Sequence, residues 1–398
     1  MLGVLTVGAY GLVMYSYGVL IGPVHDETGW SIGWLSFAFT LSFLVVGVGA
    51  ALAGWMLDRV GGRPVMLGAL VIGSALLLVN ASAQSLPLFI VTWGLGGGIL
   101  GAGLFYNVTM ALTTRLFPGN RVRAFAVLTF VGGFASVIYF PLSGFLVELL
   151  DWRDALRIMV GLLALTVLPA ALLVPGGAAS KEAAAKSARG DYGSVREAFR
   201  SREVVRMMLM FALVMMAFGA IQVHHVPAMQ AAGASLATAT TIAAVRGFLS
   251  LPGRALMEPV IQRTGVRGAT MTAYAMMVIG TAVLLGGGGL AWILLFAIIS
   301  GLAFGAITPL HGLYAAEVFG ERRIGTLMGV QSLVVSLLSA MGPVVLGMTV
   351  DATGNYNVAI VLTVILFAMG FVMLATRPKL TVESAVTEEL KPSPASGG

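Results

Sequence analysis

No cysteine occurs among the 398 residues, which excludes disulfides, thiolate metal sites and cysteine nucleophiles. Charge is almost as scarce. Only 10% of the chain is Asp, Glu, Lys or Arg, against about 25% in a soluble domain, so an ordinary globular enzyme is excluded. What charge there is leans positive, 23 Lys and Arg against 17 Asp and Glu, a net +6. These cations are scattered through short connections rather than gathered in a patch, which argues against nucleic acid as a partner. In place of charge stands hydrophobicity: 58% of the residues are apolar, and the mean hydropathy is +0.95.

A helix needs roughly 20 apolar residues to cross a hydrocarbon core. Twelve runs of that kind are visible, near 2–23, 31–57, 64–84, 86–115, 121–150, 153–174, 203–231, 235–262, 268–288, 291–318, 323–350 and 356–376. The first run starts at Met1 without a basic leader or small-residue cleavage site, so it reads as a span rather than a signal peptide. The connections after even-numbered spans, with the tail, carry nineteen Lys and Arg. The opposite connections carry only Arg153 and Arg157. The positive-inside rule therefore places the basic loops and both termini in the cytoplasm, with the protein in the cell membrane.

The longest connection, 175–202, holds Pro175-Gly176-Gly177 and then Lys181-Glu182-Ala183-Ala184-Ala185-Lys186. It reads as a cytoplasmic linker between six-span bundles at 1–174 and 203–376, with a disordered tail at 377–398. The bundles repeat one another. Asp58-Arg59-Val60-Gly61-Gly62-Arg63 returns 204 residues later as Gln262-Arg263-Thr264-Gly265-Val266-Arg267, and Pro23 and Pro227, each expected to end its helix, share that offset. Phe117 with Phe319, and Pro141 with Pro343, repeat at 202. The expectation is an all-α membrane protein of two pseudo-symmetric six-helix bundles. Parallel repeats of this kind point to a secondary transporter with its site midway through the bilayer.

The segment Gly54-Trp55-Met56-Leu57-Asp58-Arg59-Val60-Gly61-Gly62-Arg63 resembles the loop signature of the major facilitator superfamily, and the degenerate second copy extends the resemblance over the whole chain. The resemblance implies a cytoplasmic gate built from Asp58, Arg59, Arg63, Arg115, Arg263 and Glu317. With Glu258 for the first glycine and Gln262 for the acid, the second copy implies a weaker lock. The alternative is that these charges only anchor helix ends at the interface.

Two arginines, Arg246 and Arg254, lie inside the eighth run, whereas no Asp or Glu occupies the middle of any run. A midplane arginine costs about 2.5–3.5 kcal/mol on insertion scales and needs a partner. Standing eight residues apart, about 80° around a helix and about 12 Å along it, the two can face one cavity at different depths. Without an internal carboxylate, the partner to expect is an external one, since the guanidinium fork matches a carboxylate. Alternatively, Arg254 pairs with Glu258 one turn on, or an arginine binds carbonyls of a broken helix. Glu27-Thr28-Gly29-Trp30-Ser31 and Asp151-Trp152-Arg153 resemble segments of the monocarboxylate-porter and oxalate/formate-exchanger branches. That resemblance implies a substrate-binding role for Arg254, within Pro252-Gly253-Arg254-Ala255, leaving Arg246 as a second candidate. Two departures stand out: Ser250 occupies a position where animal monocarboxylate porters are acidic, and no lysine lies in any run.

Histidine is the natural proton carrier near neutral pH, so His224, His225 and His311 are the candidates for proton coupling, although for any one of them packing or hydrogen bonding is the commoner role. Neighbours on a helix, His224 and His225 point about 100° apart, so one of them faces a cavity. The substrate could instead bring its own proton. Tyr106, Asn107 and Tyr314 lie in spans that the family resemblance places around the cavity, and can offer directed hydrogen bonds; Tyr15, Tyr17 and Tyr139 are similar. The glycines at 96, 97, 98, 101 and 103 lack a following Lys-Ser/Thr and read as close helix packing, not a phosphate loop.

An enzyme finds no nucleophile motif or membrane carboxylate pair here, and no cofactor is expected. A receptor or scaffold does not explain the duplication. Among transporters, a proton-coupled exporter of drugs or metabolites and an anion exchanger remain as alternatives. The exporter's glycine before proline is missing from Tyr139-Phe140-Pro141-Leu142-Ser143-Gly144. The favoured expectation is transport of a lactate-like monocarboxylate by alternating access, with a proton as co-substrate and the lipid bilayer as surroundings.

Overall fold

The computed structural model describes residues 1–117, 119–174, 202–287, 289–319 and 324–376. The expected linker, apart from Arg202, and the expected tail from 377 lie outside the described residues. The first half holds α1 (Leu2–Thr28, with a π-turn at Gly11–Tyr15), α2 (Ile32–Val60) and α3 (Gly62–Asn80). It continues with α4 (Leu86–Leu104 and Tyr106–Leu116), α5 (Arg121–Gly132 and Phe134–Leu149) and α6 (Trp152–Leu173). The second half opens with α7 (Arg202–Ala231). One continuous helical segment, Leu236–Val283, then supplies α8 (236–264) and α9 (266–283), which part at Gly265. The chain continues through α10 (Leu290–Phe319), α11 (Ile324–Thr353) and α12 (Tyr356–Ala375). With that division the described residues hold twelve long helices, the number of apolar runs in the sequence.

The duplication is legible in the backbone. Gly61 and Gly265, 204 apart, both have positive φ (86° and 72°) with extended ψ, and each turns the chain between the second and third helices of its half. Arg63 then donates Nε–H to Val174 O, 3.2 Å away, just past the end of α6. Its counterpart Arg267 donates to Leu374 O and Ala375 O, each 3.0 Å away, at the end of α12. A cation on the carbonyls of a helix C-terminus offsets the negative end of its dipole. In both halves one arginine thus staples the third helix to the last.

Pro23 and Pro227 do not end their helices, contrary to the expectation: α1 runs on to Thr28 and α7 to Ala231. The stops are Gly29 (φ 68°) and Gly233 (φ 102°), again 204 apart. Left-handed backbone is costly for a residue with a Cβ, so it terminates these helices at glycine. Proline inside a helix only leaves the carbonyl four residues back unpaired. For Pro227 that carbonyl belongs to Val223, and it lies against Gly18 of α1, where an added methyl would collide with it.

The glycine-rich run of α4 packs as expected. A methyl on Gly98 would strike Val45 of α2, and one on Gly103 would strike Ala69 of α3. Small residues let these three helices approach closely, which is how apolar helices gain contact where lipid is no less apolar than they are. At Phe105 the backbone is extended (φ −77°, ψ −178°) and α4 breaks. Asn107 donates its side-chain amide to Ala102 O (2.8 Å), satisfying a carbonyl beside the break.

Each half buries its own core. Trp93, Trp152, Tyr17 and Phe89 anchor the first, Phe211, Tyr274, Phe296 and Phe367 the second. Val223 packs into the first core, while Val19 and Phe140 pack into the second, so α1, α5 and α7 knit the halves together. The end bearing Gly61 and Gly265 carries the basic loops; the end bearing Gly29 and Gly233 is termed the far end. There Ser31, Asp151, Ser235 and Asn355 cap their helices with side-chain acceptors. The two segments that carried the branch resemblance meet at this end. Glu27 accepts from Trp152 Nε1 (2.7 Å) and pairs with Arg153, whose guanidinium lies 4.2 Å over the Trp152 ring.

Candidate functional site

Arg246 sits at the middle of α8 and is 2% exposed. Its Nε–H donates to Ser300 Oγ of α10 (3.0 Å), and Nη1 donates to Gln222 Oε1 of α7 (3.3 Å). The guanidinium carbon lies 4.7 Å from the Phe304 ring centre and 5.6 Å from that of Phe296. Desolvated cation–π contacts of this kind are worth up to about 2 kcal/mol each. Nη2 has no partner, and no carboxylate pairs with this arginine among the described residues. The side-chain NH2 of Gln222 is likewise buried and unpartnered.

His225, one turn above Gln222 on the same helix, completes the cluster. Its ring stands edge-on to Phe140 of α5, 5.1 Å between centres, and shares Phe296 with Arg246. Nδ1 lies 2.9 Å from Ile221 O. A carbonyl can only accept, so Nδ1 carries the proton and Nε2 is left with a lone pair. That Nε2 is buried without a partner. The site therefore holds one unspent cationic donor, one unspent amide donor and one bare imidazole nitrogen.

Arg254, two turns nearer the basic end, is exposed, and a methyl on Gly305 of α10 would lie 3.1 Å from its Cγ. Tyr106 is half-buried, its ring 5.0 Å from that of Tyr10, which in turn stacks on Phe105 at the break of α4. Asn107 is exposed beside them, its NH2 already committed to Ala102. Tyr17 and Tyr139 serve packing. The Tyr17 hydroxyl bonds Leu35 O, and Tyr139 lies over Gly11 at the π-turn of α1.

The other candidates are dispersed. His224 faces away from its neighbour, as helix geometry requires. Its Nε2 lies 3.0 Å from both Ser36 Oγ of α2 and Pro343 O of α11, at the join between halves. His311 stacks on Phe211 at 4.0 Å and bonds the Tyr274 hydroxyl at 2.6 Å, inside the second bundle. Tyr314 is buried edge-on to the same Phe211. Among the gate candidates, Asp58 pairs with Arg115, which also donates to Leu57 O (3.1 Å), and Arg59 lies 4.2 Å over Trp55. Arg263 and Glu317 are exposed near the basic end of their half. Sequence reasoning passed over Gln222, Ser300, Phe296, Phe304 and Tyr10. For Gln222 a signal existed, a polar amide in an apolar run two residues before the histidines; for the phenylalanines there was none.

Duplicated halves of apolar helices, long enough to cross a membrane and packed around a buried cation, are the arrangement of a membrane transporter. The chain belongs to the Major Facilitator Superfamily, whose sequence profile matches residues 3–285 and 225–397. It is 23% identical over 381 residues to monocarboxylate transporter 13 of Rattus norvegicus, covering 92% of this chain and 85% of that protein. A shorter stretch of 131 residues is 28% identical to the oxalate:formate antiporter of Oxalobacter formigenes, covering 33% of this chain and 31% of that one. Among solved structures, the nucleoside transporter NupG superposes with a TM-score of 0.76 at 14% identity, covering 95% of this chain and 98% of the other. The D-xylose-proton symporter does so at 0.72 and 14%, covering 94% and 96%. These likenesses give the fold.

Proposed function

We propose that this transporter carries a small organic anion of the monocarboxylate class by alternating access of its halves, together with a proton, and that Arg246 is the group that binds the carboxylate. The observation that carries this reading is a buried guanidinium with a free Nη2 and no carboxylate partner among the described residues. A bare buried cation is costly, and an incoming carboxylate relieves that cost where water does not. Gln222 NH2 beside it offers a second donor to the same anion. Arg254, exposed toward the basic end, would meet the anion on its way in or out. The names of the relatives, a monocarboxylate transporter and an oxalate:formate antiporter, support the same cargo class.

His225 is the residue assigned to the proton. In the empty site the charge of Arg246 opposes a second cation on the imidazole nearby. A carboxylate on Arg246 cancels that field, so the proton and the anion bind together. The positive-inside asymmetry supports a cytoplasmic location for the basic loops and for Asp58 and Arg115 as an inner gate. A thermal-shift screen of the purified protein against mono- and dicarboxylates identifies the cargo. Uptake by proteoliposomes then tests the site: saturable uptake should vanish in Arg246→Gln and survive, weakened, in Arg254→Gln. Undiminished uptake by Arg246→Gln ends the reading. A flux indifferent to the proton gradient but driven by internal anion replaces symport with exchange.

A further inference from the structure

At the far end, two acidic side chains reach across from one half to cap a helix of the other. Asp351, in the last turn of α11, accepts hydrogen bonds from the Ser31 hydroxyl (2.5 Å), Ile32 N–H (2.9 Å) and Gly33 N–H (2.7 Å), at the start of α2. Glu148, in the last turn of α5, accepts from Ala237 N–H (2.9 Å), at the start of α8. The positions correspond across the duplication, with 148 and 351 standing 203 apart and 33 and 237 standing 204 apart. One turn before each acid is a glycine. A methyl on Gly347 would lie 2.7 Å from Ser36 Oγ of α2, and one on Gly144 would lie 2.6 Å from Thr240 Oγ1 of α8. Ser36 and Thr240 correspond as well. The far end is thus closed twice by one device, a glycine that admits the opposing helix and a carboxylate one turn on that holds its N-terminus.

We propose that Asp351 and Glu148 are the latches of the far gate, positioning residues that hold this end shut while the opposite end opens. A helix N-terminus presents unpaired N–H groups and about half a positive charge, and a carboxylate satisfies both. Each acid spends these bonds on the other half, so any separation of the halves here breaks them. Among the described residues neither acid is in an ion pair, and both are exposed, so water can take over each carboxylate as the gate parts. Asp351 makes three such bonds and Glu148 one, so the α11–α2 latch is the stronger.

Because the chain contains no cysteine, spin labels can be placed without altering a background. One pair, Gln84→Cys with Ala231→Cys, spans the far end between halves; another, Asn120→Cys with Thr264→Cys, spans the basic end. All four positions are exposed. Helix caps change equilibria by about three- to thirty-fold. Asp351→Asn with Glu148→Gln should therefore lengthen the far-end distance in a fraction of molecules several-fold larger than in the parent, and shorten the basic-end distance in the same fraction. Asp351→Asn alone should do more than Glu148→Gln alone, and Asp351→Glu should restore the parent distribution. Unchanged distances in the double variant overturn the proposal, and so does lengthening at both ends, which marks general loosening. No substrate enters the measurement, so its outcome is independent of the anion reading above.

Discussion

Replacing Arg246 by Gln separates a binding cation from a structural one. In the empty protein the guanidinium bears a desolvation penalty of several kcal/mol. Against this stand charged hydrogen bonds to Ser300 and Gln222 and two aromatic faces, at 4.7 and 5.6 Å. Bonds to charged groups contribute about 1.5–3 kcal/mol each, so the two sides nearly cancel. Arg246→Gln should then move the melting temperature of the empty protein by only a few degrees, since one kcal/mol corresponds to about 2–4 °C in a medium-sized domain. Binding responds differently, because removing one partner of a buried, hydrogen-bonded charge pair costs about 2–5 kcal/mol. At 1.4 kcal/mol per decade, that is a loss of roughly thirty-fold to a few thousand-fold in affinity. The assay is a thermal-shift titration with the identified carboxylate, beside initial-rate uptake across substrate concentrations. Arg246→Lys should fall between, since it keeps the charge and loses the planar fork. A variant that binds the anion with parent affinity would refute the reasoning. So would an empty variant that no longer folds, because Arg246 would then be a strut.

Arg254 is exposed, and a screened charge contributes up to about 1 kcal/mol, so Arg254→Gln should raise KM about five-fold or less; complete loss of uptake would instead make it the principal anion site. His225→Gln should preserve anion-dependent stabilisation while proton movement, followed with a pH dye inside proteoliposomes, ceases; His311→Gln, altering a residue packed on Phe211 and Tyr274, should leave proton movement intact. Gly18→Val places a side chain on the Val223 carbonyl, so the closed far end should be lost and the maximal uptake rate should drop at least ten-fold, about the effect of 1.4 kcal/mol. Arg63→Ala removes the bond to Val174 O and should lower unfolding stability by about 1 kcal/mol with KM unchanged, as read by chemical denaturation in detergent.

Hydropathy and charge scarcity by themselves determined the membrane-spanning helices, and the repeated loop and proline positions determined the duplication. The bilayer admits helices whose backbone groups are satisfied internally, so a run of apolar residues is already a structural statement. The repeat was legible because Arg63 and Arg267, like Gly61 and Gly265, do the same work in both halves, and an offset of 204 needs no coordinates. Two arginines inside one apolar run were equally visible as an anomaly, but their ranking was not. The family resemblance favours Arg254, whereas burial, the Ser300 and Gln222 bonds and the Phe304 face single out Arg246. Which of two cations on one helix is desolvated depends on α7 and α10, tens of residues away in sequence. The same holds for the histidines. Their 100° separation was a matter of helix geometry, but only packing decided that His225 turns to Phe296 and His224 to Ser36. Asp351 and Glu148 drew no attention as loop-end acids, because a carboxylate becomes a latch only when another half of the molecule brings a helix N-terminus within hydrogen-bonding distance.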